Sequence, residues 1–348
     1  MKLNYDWTLK DAIFTKDKGK VFSCFACGGG STMGYKLAGF DVIGFNEIDP
    51  KMAECYIENH DPTYRYIEPI QDFKNRDDLP KELYNLDILD GSPPCSSFSM
   101  AGNREKDWGK EKKFREGQAD QVLDTLFFDF IDVAKKLQPK VVIAENVKGL
   151  LMGEAKKYLA KIVSSFKEAG YKVHYKLLNS KDMGVPQKRE RVFFYAVRND
   201  IKCESDDMFD EEPFIDLEFN GKEIPFKEVF TDYTDRPLSV HYKEFWDERK
   251  PDDLDFSYSS NRLNNKPNSH FNYKYITMSK VANTITASDN CVLFDYPRYR
   301  NKSEILKCGS YPKDYNFLSK KSHYLVGMSV PPLMMAKIAD RVYSQWLK

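Results

Sequence analysis

The sequence predicts an α/β fold built on a doubly wound, mostly parallel sheet, with a smaller, mostly irregular and β second domain. Three observations lead there. Apolar strand-like runs alternate with amphipathic helical stretches through the first 199 residues. The first such unit reads strand, glycine-rich turn, helix, strand, acid, which is the order of a nucleotide-binding βαβ unit. The alternation then stops at Asp200, beyond which Pro, Asp, Asn and Tyr dominate, and a helical pattern returns only from Pro331 through Met335, Ile338 and Val342.

Residues 21–25 form the first apolar run, and Ala26-Cys27-Gly28-Gly29-Gly30 is a tight turn into a helix that starts near Ser31 and stops at Gly39. A second strand over 41–46 runs into Glu47-Ile48-Asp49, and Pro50 opens a helix to about His60. Glu47 follows Gly28 by 19 residues, the separation at which an acid reaches a ribose. The glycines are not spaced as in dinucleotide enzymes, so the adenosine-containing cofactor stays open at this point.

Residues 86–90 read as a buried strand, and Gly91-Ser92-Pro93-Pro94-Cys95-Ser96 follows. Each proline fixes its own φ and restricts the residue ahead of it, so the thiol is carried on a stiff turn at the carboxyl end of a strand. Residues 103–121 lack apolar periodicity. Val122, Leu123, Leu126, Phe127, Phe130, Ile131, Ala134 and Leu137 then mark one helix face, ended by Pro139. A strand over 140–144 closes in Glu145-Asn146-Val147. A helix over 154–169 stops at Gly170, and strands follow at 171–178 and 191–198, separated by Gly184-Val185-Pro186-Gln187-Lys188-Arg189-Glu190.

The 348 residues carry no net charge, but they are unevenly charged. Residues 200–260 hold 19 acids against 7 Lys and Arg, which disfavours contact with phosphates. Residues 261–283 hold no acid, four Lys or Arg and six Asn, a set suited to base edges and phosphates. Seven scattered cysteines point to reduced thiols in the cytoplasm, and neither a signal peptide nor a membrane-spanning run is expected.

Taken in order, the Phe25–Gly30 turn, Ser92-Pro93-Pro94-Cys95 with Phe98-Ser99, Glu145-Asn146-Val147 and Gln187-Lys188-Arg189-Glu190-Arg191 resemble the motifs of the cytosine-5 DNA methyltransferase family. Glu304, Tyr311-Pro312-Lys313-Asp314-Tyr315 and Gly327-Met328-Ser329-Val330 resemble its late motifs. The resemblance implies a Rossmann-like, S-adenosylmethionine-dependent sheet over 1–199, completed by 323–348, and a target-recognition domain over 200–322. It implies Cys95 as the thiolate that attacks carbon 6 of cytosine, Glu145 as the acid at the ring nitrogen, and Arg189 and Arg191 as the arginines that orient base and acid. Pro93, Pro94, Ser99, Asn146 and Val147 would shape the pocket of the flipped base.

S-adenosyl-L-methionine, leaving as S-adenosyl-L-homocysteine, would be held by Phe25, Ala26, Cys27, Gly28, Gly29, Gly30, Glu47, Ile48, Ile70, Pro94, Leu126 and Ser329. The loop after Cys95 would close on DNA with Arg104, Lys112 and Lys113. Arg262, Asn264, Asn265, Lys266, Asn272, Lys274 and Thr286 would contact it from the second domain, with Ser269 and Tyr273 beside them. Cys27 replaces the family's glycine, Pro69 its aspartate (with Gln71 or Asp72 as substitutes), and Met328 its asparagine. The expected partners are double-stranded DNA and a cognate restriction endonuclease, with the enzyme a monomer. Alternatives are the same chemistry on RNA, a catalytically silent DNA-binding relative, and a nicotinamide-dependent oxidoreductase, which leaves the Pro-Cys turn unexplained.

Overall fold

A computed structural model describes residues 4–94, 125–153, 155–202, 215–267, 269–318 and 320–348. The chain divides into two compact units, one of 13–178, 190–218 and 335–348, the other of 1–12, 179–189 and 219–334.

The larger unit is built on a seven-stranded sheet of order β3-β2-β1-β4-β5-β7-β6. Its strands are β1 (Lys20–Cys24), β2 (Asp41–Asn46), β3 (Tyr64–Tyr66), β4 (Ile88–Gly91), β5 (Val141–Val147), β6 (Tyr171–Asn179) and β7 (Glu190–Arg198). The pairs β1–β2, β1–β4, β2–β3 and β4–β5 are parallel, whereas β5–β7 is antiparallel. Strand order reverses between β1 and β4, and their carboxyl ends lie side by side, with Cys24 opposite Gly91. Such a reversal leaves a crevice at the strand ends, where open α/β sheets bind their ligands.

Local signals bound the first two helices where the sequence predicts. In α1 (Gly30–Ala38), Gly39 takes φ 97° and its N–H donates to the Lys36 and Tyr35 carbonyls. At α2 (Pro50–His60), the Asp49 carboxylate accepts the Lys51 N–H at 2.8 Å, and Pro50 needs no partner for a missing donor. The helices α4 (Leu126–Leu137) and α5 (Ala155–Glu168) bury Phe127, Phe130, Ile162 and Phe166 in one core with Phe22, Leu89 and Phe194. In this unit β3 and α3 (Ile70–Asn75) are not expected from the sequence, because three and six residues are too short to show a period, and the helices of the smaller unit at 240–247, 256–264, 302–308 and 322–328 are not expected either.

The smaller unit contains α6 (Val240–Asp247), α7 (Phe256–Asn264), α8 (Lys302–Cys308) and α9 (Ser322–Met328), with two two-residue parallel strands, β8 (Tyr275–Ile276) and β9 (Val292–Leu293). Aromatic rings fill its core: Phe256 stacks on Tyr273 at 5.5 Å, and Phe245, Tyr275 and Val292 close around them. Buried charges fasten the rest. Asp289 receives Arg236 at 3.0 Å and also pairs with Arg300. Glu304, wholly buried, accepts both Arg298 amines at 2.8 Å and the N–H groups of Thr231 and Asn301 at 3.1 and 3.0 Å. The final helix, α10, spans Pro332–Val342; beyond it Tyr343 meets Phe40 edge-on, while Asp340 accepts Lys18 at 2.6 Å. Among the described residues no helix is long and apolar enough to cross a membrane.

Glu304→Ala removes the partner of a buried guanidinium and four accepted hydrogen bonds. The expected loss is about 3–5 kcal/mol, read from the denaturant midpoint.

Candidate active site

The reversal of strand order puts two turns at one edge of the sheet. From β1 the chain enters Phe25 and Cys27, both in the left-handed region at φ 53° and 46°, and then Gly29 at 75°. A non-glycine residue there is strained, and such strain gathers at functional sites. The geometry explains why a glycine suits position 27. The turn is pinned from β2: Glu47 accepts the Cys27 N–H on Oε2 at 2.8 Å and the Asp49 N–H on Oε1 at 3.0 Å. Behind it, a Cβ on Gly29 would fall 2.2 Å from His60 Nε2, so α2 leaves no room for a side chain.

Glu47 is 7 % exposed, and burial raises its affinity for a proton, against the N–H groups of Asp49, Cys27 and Ile48 that favour the carboxylate. Three backbone donors share its two oxygens, and a carboxylate has about four acceptor sites. It therefore keeps capacity for a further hydroxyl, such as a ribose offers. Phe25 is half-buried and Ile48 likewise, while Ile70 and Leu126 are buried in the core. Ala26, Gly28 and Gly30 complete the turn. The Glu47 carboxylate, with Ile48 next to it in sequence and Phe25 in the turn it pins, fits the hydroxyls and ring of an adenosine-containing cofactor.

From β4 the chain enters Ser92, Pro93 and Pro94. Cys95 lies outside the described residues, as do Ser99, Arg104, Lys112 and Lys113. What holds the turn is visible. Asn146, buried at the end of β5, donates from Nδ2 to the Pro93 carbonyl at 3.1 Å, and its Oδ1 accepts the Val147 N–H at 2.8 Å. One side chain thus ties two strand ends together. Beside it, Glu145 Oε1 receives Arg191 Nε at 2.8 Å, with 12 % and 18 % of the side chains exposed. The antiparallel register makes this pair possible: Glu145 faces Phe193 and Val147 faces Arg191, so acid and guanidinium meet across a diagonal.

The two arginines of the Gln187–Arg191 stretch do different work. Arg189, 2 % exposed and in the smaller unit, donates to the carbonyls of Ile285 and Gly327 at 3.3 and 3.0 Å. Gln187, which the sequence reading assigns no role, donates to the Cys308 carbonyl at 3.1 Å and accepts the Ile285 N–H at 2.8 Å. Ser329 is buried in the same unit and donates to the Leu325 carbonyl.

The acid-free segment begins inside α7. Arg262 is clasped by Asp253 and the Glu248 carbonyl. Asn264, Asn265 and Lys266 are exposed, with Asn265 capping the helix at φ 52°. Asn272, Lys274 and Thr286 are exposed too, and Thr286 Oγ1 accepts the Asp289 N–H.

One buried acid escaped the sequence reading. Asp90, 2 % exposed on β4, accepts Ser23 Oγ at 2.8 Å and the Tyr35 hydroxyl at 3.1 Å. Burial first, and then the Glu145 charge, pushes its carboxyl up to about 7, against the pull of the two hydroxyls.

A family model described as C-5 cytosine-specific DNA methylase matches residues 19–344. The chain is 38 % identical over 182 residues to the type II methyltransferase M.FnuDI of Fusobacterium nucleatum, covering 52 % of this chain and 48 % of that protein. It is 28 % identical over 330 residues to the type II methyltransferase M1.HphI of Haemophilus parahaemolyticus, covering 91 % and 85 %. The chain thus spans about half the length of the first of these relatives. A solved structure of a Spodoptera frugiperda DNMT2 mutant superposes with a TM-score of 0.64 at 15 % identity, covering 93 % of this chain and 99 % of that one. At that identity the likeness speaks for the fold alone, the Rossmann-like methyltransferase fold.

Asp90 has a signature in stability. An unfolded aspartate ionises near about 3.9, whereas the folded one keeps its proton to about 7. Between these values the folded state holds the proton that the unfolded state has lost, so stability falls as pH rises, by about 1.4 kcal/mol per pH unit at most. Buried His60, held neutral chiefly by burial, works in the opposite sense below its ordinary value of 6.5. The Asp90 contribution is therefore read from the difference between wild type and Asp90→Asn. Wild type loses ground to the variant from pH 4 to pH 7, and the difference is constant above that.

Proposed function

The chain belongs to the C-5 cytosine-specific DNA methylase family, and on that premise we propose that it methylates carbon 5 of a flipped-out cytosine in double-stranded DNA through a covalent Cys95 adduct. The observation that carries the reading is the Asn146–Pro93 hydrogen bond beside the Glu145–Arg191 pair. It sets an oriented acid next to a turn that delivers a cysteine one residue after Pro94.

Carbon 5 of cytosine is a poor nucleophile while the ring is aromatic. Attack of the Cys95 thiolate forms an Sγ–C6 bond and leaves carbon 5 enamine-like. Glu145 favours this step by giving a proton or a strong hydrogen bond to the ring nitrogen as negative charge builds there. Arg191 keeps the Glu145 carboxyl in place. Asn146 ties the Pro93 carbonyl, two residues ahead of Cys95 in the chain, to the strand that carries Glu145. Once the methyl is on carbon 5, loss of the proton there lets the Sγ–C6 bond break and frees Cys95. The base must leave the stack to reach this site.

The Phe25–Gly30 turn, Glu47 and Ile48 would hold S-adenosyl-L-methionine, with Glu47 taking the ribose hydroxyls. When bound, that cofactor supplies an activated methyl group. Arg189 and Gln187 would act at a distance, by ordering the backbone at 285 and 327. The exposed residues of the acid-free segment, Asn264, Asn265, Lys266, Asn272 and Lys274, would meet DNA, as would the loop with Arg104, Lys112 and Lys113. The reading includes action as a monomer and a companion endonuclease that cuts the same motif when it is unmodified.

Expression in a methylation-free bacterial host, followed by sequencing of the host DNA for 5-methylcytosine, is expected to reveal one short methylated motif. Cys95→Ala is expected to leave the DNA unmodified. Unmodified DNA from folded, cofactor-binding wild type would overturn the reading. Glu145→Gln, assayed on the motif so found, is expected to lower kcat by about 10²–10⁴-fold with DNA affinity changed little.

A further inference from the structure

We propose that Asp90 is a positioning residue of this reaction that works as a neutral carboxylic acid, and that loss of its proton disables the catalytic end of the sheet. The inference rests on the methyl-transfer reading above.

Register places the group. Ser23 of β1, Asp90 of β4 and Ile143 of β5 lie in one row across the sheet, and Glu145 follows Ile143 by two residues, on the same face. Tyr195 of β7 is opposite Ile143, and Arg191 follows on that face as well. Helix α1 covers this face through Tyr35, whose hydroxyl reaches Asp90. The groups facing Asp90 are thus the Ser23 and Tyr35 hydroxyls and the Glu145 carboxyl. The Cys24 thiol and the Tyr56 hydroxyl feel its charge, and Tyr195 acts on Tyr35. Among the described residues no cation pairs with Asp90, and the neighbouring cation, Arg191, is spent on Glu145.

An ionised Asp90 would therefore be a buried carboxylate with two hydroxyl donors and a second carboxylate close by. Two hydroxyls do not replace the hydration of a buried charge. The strain is relieved by water entering or by the strand end moving. The opposite face gives no slack, since a Cβ on Gly91 would fall 2.5 Å from the Phe130 ring. Gly91 leads directly into the turn whose Pro93 carbonyl Asn146 holds. Movement there disturbs the Pro93 carbonyl that Asn146 holds, so the proton on Asp90 keeps the end of β4 in register with the strand that carries Glu145.

The test is the pH profile of methyl transfer to DNA, with kcat and KM measured separately for wild type and Asp90→Asn. In wild type kcat is expected to fall on the order of tenfold from pH 6.5 to 8.5, with KM for DNA nearly constant. In Asp90→Asn the ratio of kcat at the two pH values is expected to stay within about twofold. Ser23→Ala serves as a second variant: removal of one donor to the ionised form moves the alkaline limb upward by about half to one pH unit. An NMR titration of carboxyl carbons in DNA-free protein gives a readout apart from activity. A resonance absent from Asp90→Asn that titrates near neutrality supports the proposal. The same resonance titrating near pH 4 overturns it, even in a protein that methylates nothing. An alkaline limb shared unchanged by wild type and both variants also overturns it, while methylation itself would leave the functional reading standing.

Discussion

The reversal of strand order between β1 and β4 is the constraint on which the larger unit depends. Parallel strands need crossovers, and crossovers of one hand place successive helices on opposite faces once the order reverses. The carboxyl ends of β1 and β4 then lie side by side. Cys24 stands opposite Gly91, so the Phe25–Gly30 turn and the Ser92–Pro94 turn leave the sheet together. Each is held by a side chain at the end of the next strand outward, Glu47 directly after β2 for the first and Asn146 on β5 for the second.

This arrangement carries polar groups into a place where burial makes them expensive. Glu47 offsets its burial with three backbone donors, Glu145 with a guanidinium, and Asp90 with two hydroxyls. Three carboxyls at one sheet edge thus have three different partners. Environments that differ in this way separate the protonation behaviour of like groups, as acid–base chemistry requires. The cost is local, because the strands below are filled by Phe22, Leu89, Val142 and Phe194.

The smaller unit is stabilised in another way. With little sheet to pair its backbone, it relies on stacked rings around Phe256 and on buried arginine–carboxylate pairs at Asp289 and Glu304. Such pairs add less stability than a well-packed apolar core of the same volume, but breaking one leaves a buried charge. The late-motif residue Glu304 has this part, as the anchor of α8 and of the chain at Thr231.

Much of the larger unit was legible from local signals. A glycine after an apolar stripe stops α1, and Asp49-Pro50 starts α2, because capping is decided within a few residues. The order of turn, Pro-Cys stretch, acid and arginines also lay in the sequence, and with it the family. Pairing was not legible. Nothing local says that β7 inserts antiparallel between β5 and β6, yet that register alone brings Arg191 to Glu145. Nor could composition tell that Arg262 is clasped by Asp253, that Arg189 spends its guanidinium on two carbonyls, or that Asp90 is buried beside Glu145. Sequence by itself determined the longer strands of the larger unit, the caps of α1 and α2 and the reactive residue types, since those depend on neighbours along the chain. Tertiary structure decided which charges meet and which acid holds its proton more tightly, since those depend on burial and on contacts between residues far apart in sequence.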